Sequence, residues 1–195
     1  MRFARLVVPA TVVLSVSGLG CSDPVPPTPQ GAYAATFIDP GIDCNSAGHN
    51  ITMGEVTPDT KDKLLKNGED GAEISCSVTG SGSFDVSAKG FRSSSFLKID
   101  VKGLKSKGNG GPTADNPAPG AVTFASANTA GNTYGSTPDA PCDFWFFEDT
   151  NQDVAAGRAW LTFSCGAIVL DENSTCQLST SYAIFENCAG AAEAD

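Results

Sequence analysis

The 195-residue chain carries one histidine, His49, two tryptophans, two methionines and only 12 Lys+Arg against 22 Asp+Glu. Each shortage excludes something. A formal net charge of -10 removes an electrostatic binder of nucleic acid, which needs a basic face to displace phosphate counterions. A single imidazole leaves little material for nucleophile-base sets, and the chain has no Gly-x-Ser-x-Gly elbow. Charged residues make up 17% of the chain, with Ser, Thr and Asn filling the polar positions, a balance that suits strands and turns better than long helices. Gly and Pro, 21 and 12 residues, together stay below the roughly 25–30% typical of low-complexity chains, so a folded domain is expected.

What is present starts at the N-terminus. Arg2 and Arg5 precede an apolar stretch, Leu6 to Val16, which is followed by Ser17-Gly18-Leu19-Gly20-Cys21. That stretch is far shorter than the roughly 20 residues of a membrane span and reads as an export signal over residues 1–20. Small residues at Gly18 and Gly20 directly before a cysteine resemble the lipobox of bacterial lipoproteins, with Leu19 one position nearer the cysteine than the family's usual leucine. The resemblance covers the first 21 residues. It implies cleavage before Cys21, lipidation of the Cys21 thiol and acylation of the new amino terminus; an ordinary signal peptide cut nearby is the alternative. By the same resemblance Ser22 favours the outer membrane of a Gram-negative envelope, and Asp23 weakens that preference. Residues 21–32, with Pro24, Pro26, Pro27 and Pro29, read as an extended tether, with a disordered leader that has no spacing role as the alternative.

Setting Cys21 aside leaves Cys44, Cys76, Cys142, Cys165, Cys176 and Cys188, an even set suited to an oxidising compartment. Pairing nearest neighbours joins Cys44 to Cys76, Cys142 to Cys165, and Cys176 to Cys188 across an expected hairpin. None of the spacings is the two-residue interval of zinc or thioredoxin-type sites.

Residues 33–188 are one domain's worth of chain, and 189–195 read as a disordered tail. Leu97, Ile99 and Val101 alternate with Lys98, Asp100 and Lys102, the pattern of a sheet with one wet face. Ile74, Cys76 and Val78 repeat it, as do Phe84, Val86 and Ala88, and Gly80-Ser81-Gly82 between them reads as a hairpin turn. Further strands are expected at 33–38, 50–56, 120–126, 143–148, 158–165, 166–170 and 180–186, a short helix at 58–66, and a long loop at 103–120. The fold class is all-β, an antiparallel β-sandwich or partly open barrel of about eight to ten short strands, stapled by disulfides.

Four features are candidates for chemistry. His49 lies in a turn before a strand, where a surface or capping role is expected. Asp149, Asn151 and Asp153 alternate as oxygen ligands do in calcium loops, but no glycine follows Asp153 and Trp160 holds the twelfth position; a solvated turn is preferred, with calcium as the alternative cofactor. Phe144-Trp145-Phe146-Phe147 reads as a buried strand or, with one face open, as a stacking platform for a sugar or peptide beside Trp160 and Tyr182. Finally, Lys89, Arg92, Lys98, Lys102, Lys105 and Lys107 stand against Asp100 alone, whereas Arg158 is the one basic residue among ten acidic ones from Asp139 to Asp195. These charges read as two solvated surfaces, or as a lysine-bearing strand that meets anionic polymer or lipid headgroups.

The expected function is a non-enzymatic, lipid-anchored envelope protein that binds another envelope protein or a polysaccharide, with the membrane as partner through its anchor. A purely structural spacer without a ligand is a further possibility. The alternative is a carbohydrate-active or calcium-assisted hydrolase, which needs an open groove at Trp145 or Trp160 holding two carboxylates roughly 5–9 Å apart.

Overall fold

The computed structural model describes residues 26–39, 41, 44–171 and 174–190. The expected export signal, Cys21, the first part of the expected tether and the last five residues lie outside that set. Alternation of apolar and polar residues becomes strand throughout: β1 Gln30–Ile38, β2 His49–Met53, β3 Leu65–Lys66, β4 Ala72–Gly80, β5 Ser83–Arg92, β6 Ser95–Lys105, β7 Ala118–Ala125, β8 Tyr134–Gly135, β9 Cys142–Trp145, β10 Asp153–Ala155, β11 Arg158–Asp171 and β12 Ser174–Glu186. The strands join in one antiparallel sheet in the order β2-β1-β12-β11-β8-β7-β6-β5-β4, with β9 bridging β11 and β7, β10 on β11 and β3 on β1.

The sheet rolls so that its two halves face each other across one apolar interior. Phe37 of β1 stacks on Phe124 of β7 with ring centroids 5.5 Å apart. On β5, Gly90 leaves the space that β1 and β2 fill, because a Cβ there would lie 2.7 Å from Met53 Cε and 3.0 Å from Tyr33 Cε1. The result is a partly open barrel, and the Gly80-Ser81-Gly82 turn is the β4–β5 hairpin, with Gly80 and Gly82 both at positive φ.

The outward edge of β4 is capped along its length. Gly68 N–H donates to Ala72 O at 2.7 Å, Ala189 N–H donates to Cys76 O at 2.9 Å, Val78 N–H donates to Ala189 O at 2.9 Å, and Gly157 N–H donates to Val78 O at 3.2 Å. The Asn67 side-chain oxygen accepts from Ile74 N–H at 2.9 Å. Segments next to β3, β11 and β12 thus close the seam of the roll.

Three disulfides staple this arrangement: Cys44–Cys176, Cys76–Cys188 and Cys142–Cys165. The last is the expected pair, on neighbouring strands β9 and β11. The other two expected pairings are corrected. Cys176 and Cys188 stand at opposite ends of β12, and an extended strand of that length separates them by roughly 40 Å, far beyond the reach of one bridge. Each therefore joins a distant segment, Cys188 at the β4 seam and Cys176 beside the connection after β1.

Other expectations change as well. The short helix at 58–66 is not formed. Thr57 Oγ1 accepts from Asp59 N–H at 3.2 Å and from Thr60 N–H at 3.0 Å, which makes a tight turn, after which Lys63 pairs with Glu55 and Leu65 joins β1. Burying Val56 and Leu64 against the outer sheet face overrides the local helix preference. Segments 158–165 and 166–170 are one strand, and the 103–120 loop shrinks because β6 runs to Lys105 and β7 starts at Ala118.

Among the described residues, the fully buried hydroxyls of Tyr33 and Tyr134 have no hydrogen-bond partner. Burial pushes the Tyr33 hydroxyl well above the ordinary tyrosine range. Its folded-state pKa is raised, so the stability it contributes is fully present below the unfolded value near pH 10 and is lost as pH rises beyond it. Tyr33→Phe is expected to be neutral or stabilising by up to about 1 kcal/mol at pH 7, because an unpaired buried hydroxyl is a cost. The same variant should lose stability less steeply above pH 10. Urea unfolding at the two pH values checks both, and a loss at pH 7 would show that the hydroxyl does have a partner.

Candidate functional site

Two places bring chemistry-bearing side chains together. The first is centred on His49, the opening residue of β2, whose ring stacks on Phe37 at 5.0 Å. His49 Nδ1 lies 2.8 Å from Ala47 O, and a carbonyl only accepts, so Nδ1 carries the proton and Nε2 accepts from Ser126 Oγ at 2.7 Å. A serine hydroxyl on an oriented imidazole has the distances of a nucleophile and its base. Its surroundings give it another task. Ser126 is 2% exposed and caps the short turn Ala127–Thr129, its Oγ accepting from Asn128 N–H at 3.2 Å and Thr129 N–H at 3.3 Å. The pair clasps β2 to the end of β7. Sequence reasoning missed Ser126; the only local signal is the Ser126-x-x-Thr129 spacing of a capping box.

The second place lies on the outer face of the sheet around β11. Register puts Trp145, Thr162 and Tyr182 in one row, and Trp160 opposite Ile184 in the next. Trp160 and Tyr182 therefore share a face, but that face is covered. Val56 and Leu64 pack on Trp160 and Ile184, Trp160 is 3% exposed, and its Nε1–H donates to Thr57 O at 3.3 Å. Trp145 is buried too, with Phe147 edge-on against it at 6.3 Å. Of the two readings of the aromatic run, the buried strand is the one formed, and the platform alternative is not: the segment after β2 covers Trp160, and Phe147 packs edge-on against Trp145.

The loop between β9 and β10 is held by buried Gln152, whose Oε1 accepts from Phe147 N–H at 2.9 Å and whose Nε2 donates to Thr162 Oγ1 at 2.8 Å. Asp149 and Asn151 are exposed. Asp153 Oδ1 instead accepts from the backbone N–H groups of Lys107 at 2.7 Å and Val154 at 2.8 Å, and Lys107 Nζ donates to Thr150 O at 2.7 Å. A lysine ammonium thus braces the loop for which a solvated turn was expected and calcium was the alternative. Among the described residues no group of three or more His, Cys, Asp or Glu side chains gathers to hold a metal.

A polar cleft of about 490 Å³ opens between this loop, the β10–β11 turn and the turn at Asp59. Of the residues singled out in the sequence, Lys107, Asn151, Asp153, Arg158 and Trp160 meet here; Asp149 lies in a neighbouring hollow with Phe147, and Trp145 and Tyr182 do not line the cleft. Three cations line it. Lys61 is paired with Glu186 at 2.5 Å. Lys107 and Arg158 are half-buried and, among the described residues, the Lys107 ammonium and the Arg158 guanidinium have no carboxylate oxygen within 4.0 Å.

No protein-family model matches the chain, and neither a curated protein nor a solved structure does. The site must be read from its own geometry. Three disulfides belong to an oxidising, non-cytoplasmic compartment. Among the described residues no helix is long and apolar enough to cross a membrane.

Proposed function

We propose that the protein is exported, held to the cell envelope by a lipid on Cys21, and displays its rolled sheet as a non-catalytic binding module. The observation that carries this reading is cysteine arithmetic: six cysteines bond to one another, so the seventh, directly after an export signal, is left over for the lipid. The proline-rich tether holds the domain off the surface, and Ser22 favours the outer membrane. The non-catalytic part is supported by the use of the chain's single imidazole in a clasp with a buried capping serine. The ligand surface is the polar cleft beside β10 and β11.

Fractionation of cells tests the anchor. Wild-type protein should sediment with membranes and incorporate radiolabelled palmitate, whereas Cys21→Ala should appear in the soluble exported fraction without label. If Cys21→Ala stays with the membranes, lipid on this residue is not what holds the protein.

A further inference from the structure

We infer that the cleft recognises a carboxylated sugar of an anionic polysaccharide, with Arg158 and Lys107 on the carboxylate and Asp59 and Asn151 on neighbouring hydroxyls. The inference rests on the binding-module reading and names its ligand class.

The two cations carry it. From Asp139 to Asp195 Arg158 is the one basic residue among ten acidic ones, so an internal carboxylate partner is the ordinary outcome for it. Instead Arg158 opens β11 opposite Ala155, half-buried at the cleft, its guanidinium in neither an ion pair nor a side-chain hydrogen bond among the described residues. Taking charge partly out of water without a partner is unfavourable, and an incoming anion removes that cost. The guanidinium presents a planar fork that matches both oxygens of a carboxylate. Lys107 is pre-positioned: Asp153 holds its backbone, Thr150 O takes one ammonium hydrogen, and two donors remain for a ligand.

The remaining lining decides what bears the carboxylate. Asp59 and Asp153 stand in the same cleft, and their charge opposes a polyphosphate or polysulfate chain. Hydroxyl groups, by contrast, donate to carboxylates and exchange hydrogen bonds with Asn151. A sugar ring with one carboxylate and several hydroxyls satisfies both halves, and the cleft's volume is in the range of small-ligand sites. An extended peptide gains most from pairing with a strand edge, yet β11 is flanked here by β10 and β12.

The test is binding of the purified full-length mature protein to polygalacturonate, to its fully methyl-esterified form and to polyglutamate, by calorimetry in EDTA. Polygalacturonate should bind, the ester and polyglutamate should not, and Arg158→Gln and Lys107→Gln should each weaken binding about tenfold or more. Arg158→Lys should fall between, since it keeps the charge and loses the fork. Unchanged thermal unfolding of Arg158→Gln, whose side chain has no ion pair to lose among the described residues, guards against a folding artefact. Equal binding of the ester overturns the carboxylate assignment while leaving a binding module in place. Equal binding of polyglutamate overturns the sugar, and no binding to any polymer overturns the inference as a whole, whatever fractionation shows of the anchor.

Discussion

Replacing Cys76 and Cys188 together by alanine should lower the unfolding free energy by about 5 kcal/mol, whereas replacing Cys142 and Cys165 should cost about 3 kcal/mol in the same chain-entropy terms. The difference comes from the chain each bridge encloses, a sequence separation of 112 for the first and 23 for the second. It is reinforced by position. Cys76–Cys188 lies on the seam where β4 meets the residues after β12, and the hydrogen bonds from Ala189 and Gly157 depend on that alignment. Cys142–Cys165 joins strands already paired. Since domains of this size are stable by roughly 5–15 kcal/mol, the first double variant should approach the threshold of folding at 37 °C. Equilibrium urea unfolding of both variants checks this, and equal losses would show that the seam holds without its bridge.

Phe37→Ala should cost about 3–5 kcal/mol and Phe37→Leu less than about 1.5 kcal/mol. Phe37 is 1% exposed and touches both halves of the roll. It stacks on Phe124, meets Tyr134 edge-on at 5.3 Å and supports the His49 ring. Alanine leaves a cavity between β1 and β7 that a rigid sheet cannot close, while leucine refills most of it. Hydrogen exchange adds a local readout: Asn128 and Thr129 amides, capped by Ser126, should lose protection in Phe37→Ala, because the imidazole that holds Ser126 loses its support.

Much of the sheet is readable from period-two alternation. Leu97, Ile99 and Val101 are 0%, 1% and 0% exposed in β6, just where their spacing places them, and the Gly80-Ser81-Gly82 turn needs the positive φ that glycine supplies. The length of β12 is not readable. The expected strand starts at residue 180, whereas β12 starts at Ser174, and Ser181 within it is fully buried, donating to Ser179 O at 2.7 Å and accepting from Thr36 N–H at 3.2 Å at a bulge in β1. The hairpin expected between Cys176 and Cys188 is instead one continuous strand, so pairing by nearest neighbours gives both cysteines the wrong partners. The cleft is hidden for another reason. Asp59, Lys107, Asn151 and Arg158 come from separate segments, and each alone has the pattern of a solvated polar surface residue. Counting charges marks Arg158 as isolated; only the fold shows Lys107 beside it.

The capped edge of β4 sets how this protein behaves in numbers. A bare edge of nine residues would accept a strand from a second copy, and each addition would present a fresh edge to the next. Hydrogen bonds with Asn67, Gly68, Gly157 and Ala189 end that ladder at one molecule on this side. Resistance to polymerisation therefore resides in three short connecting segments and the bridge that aligns one of them, so reducing conditions threaten dispersal of the protein before they threaten its core.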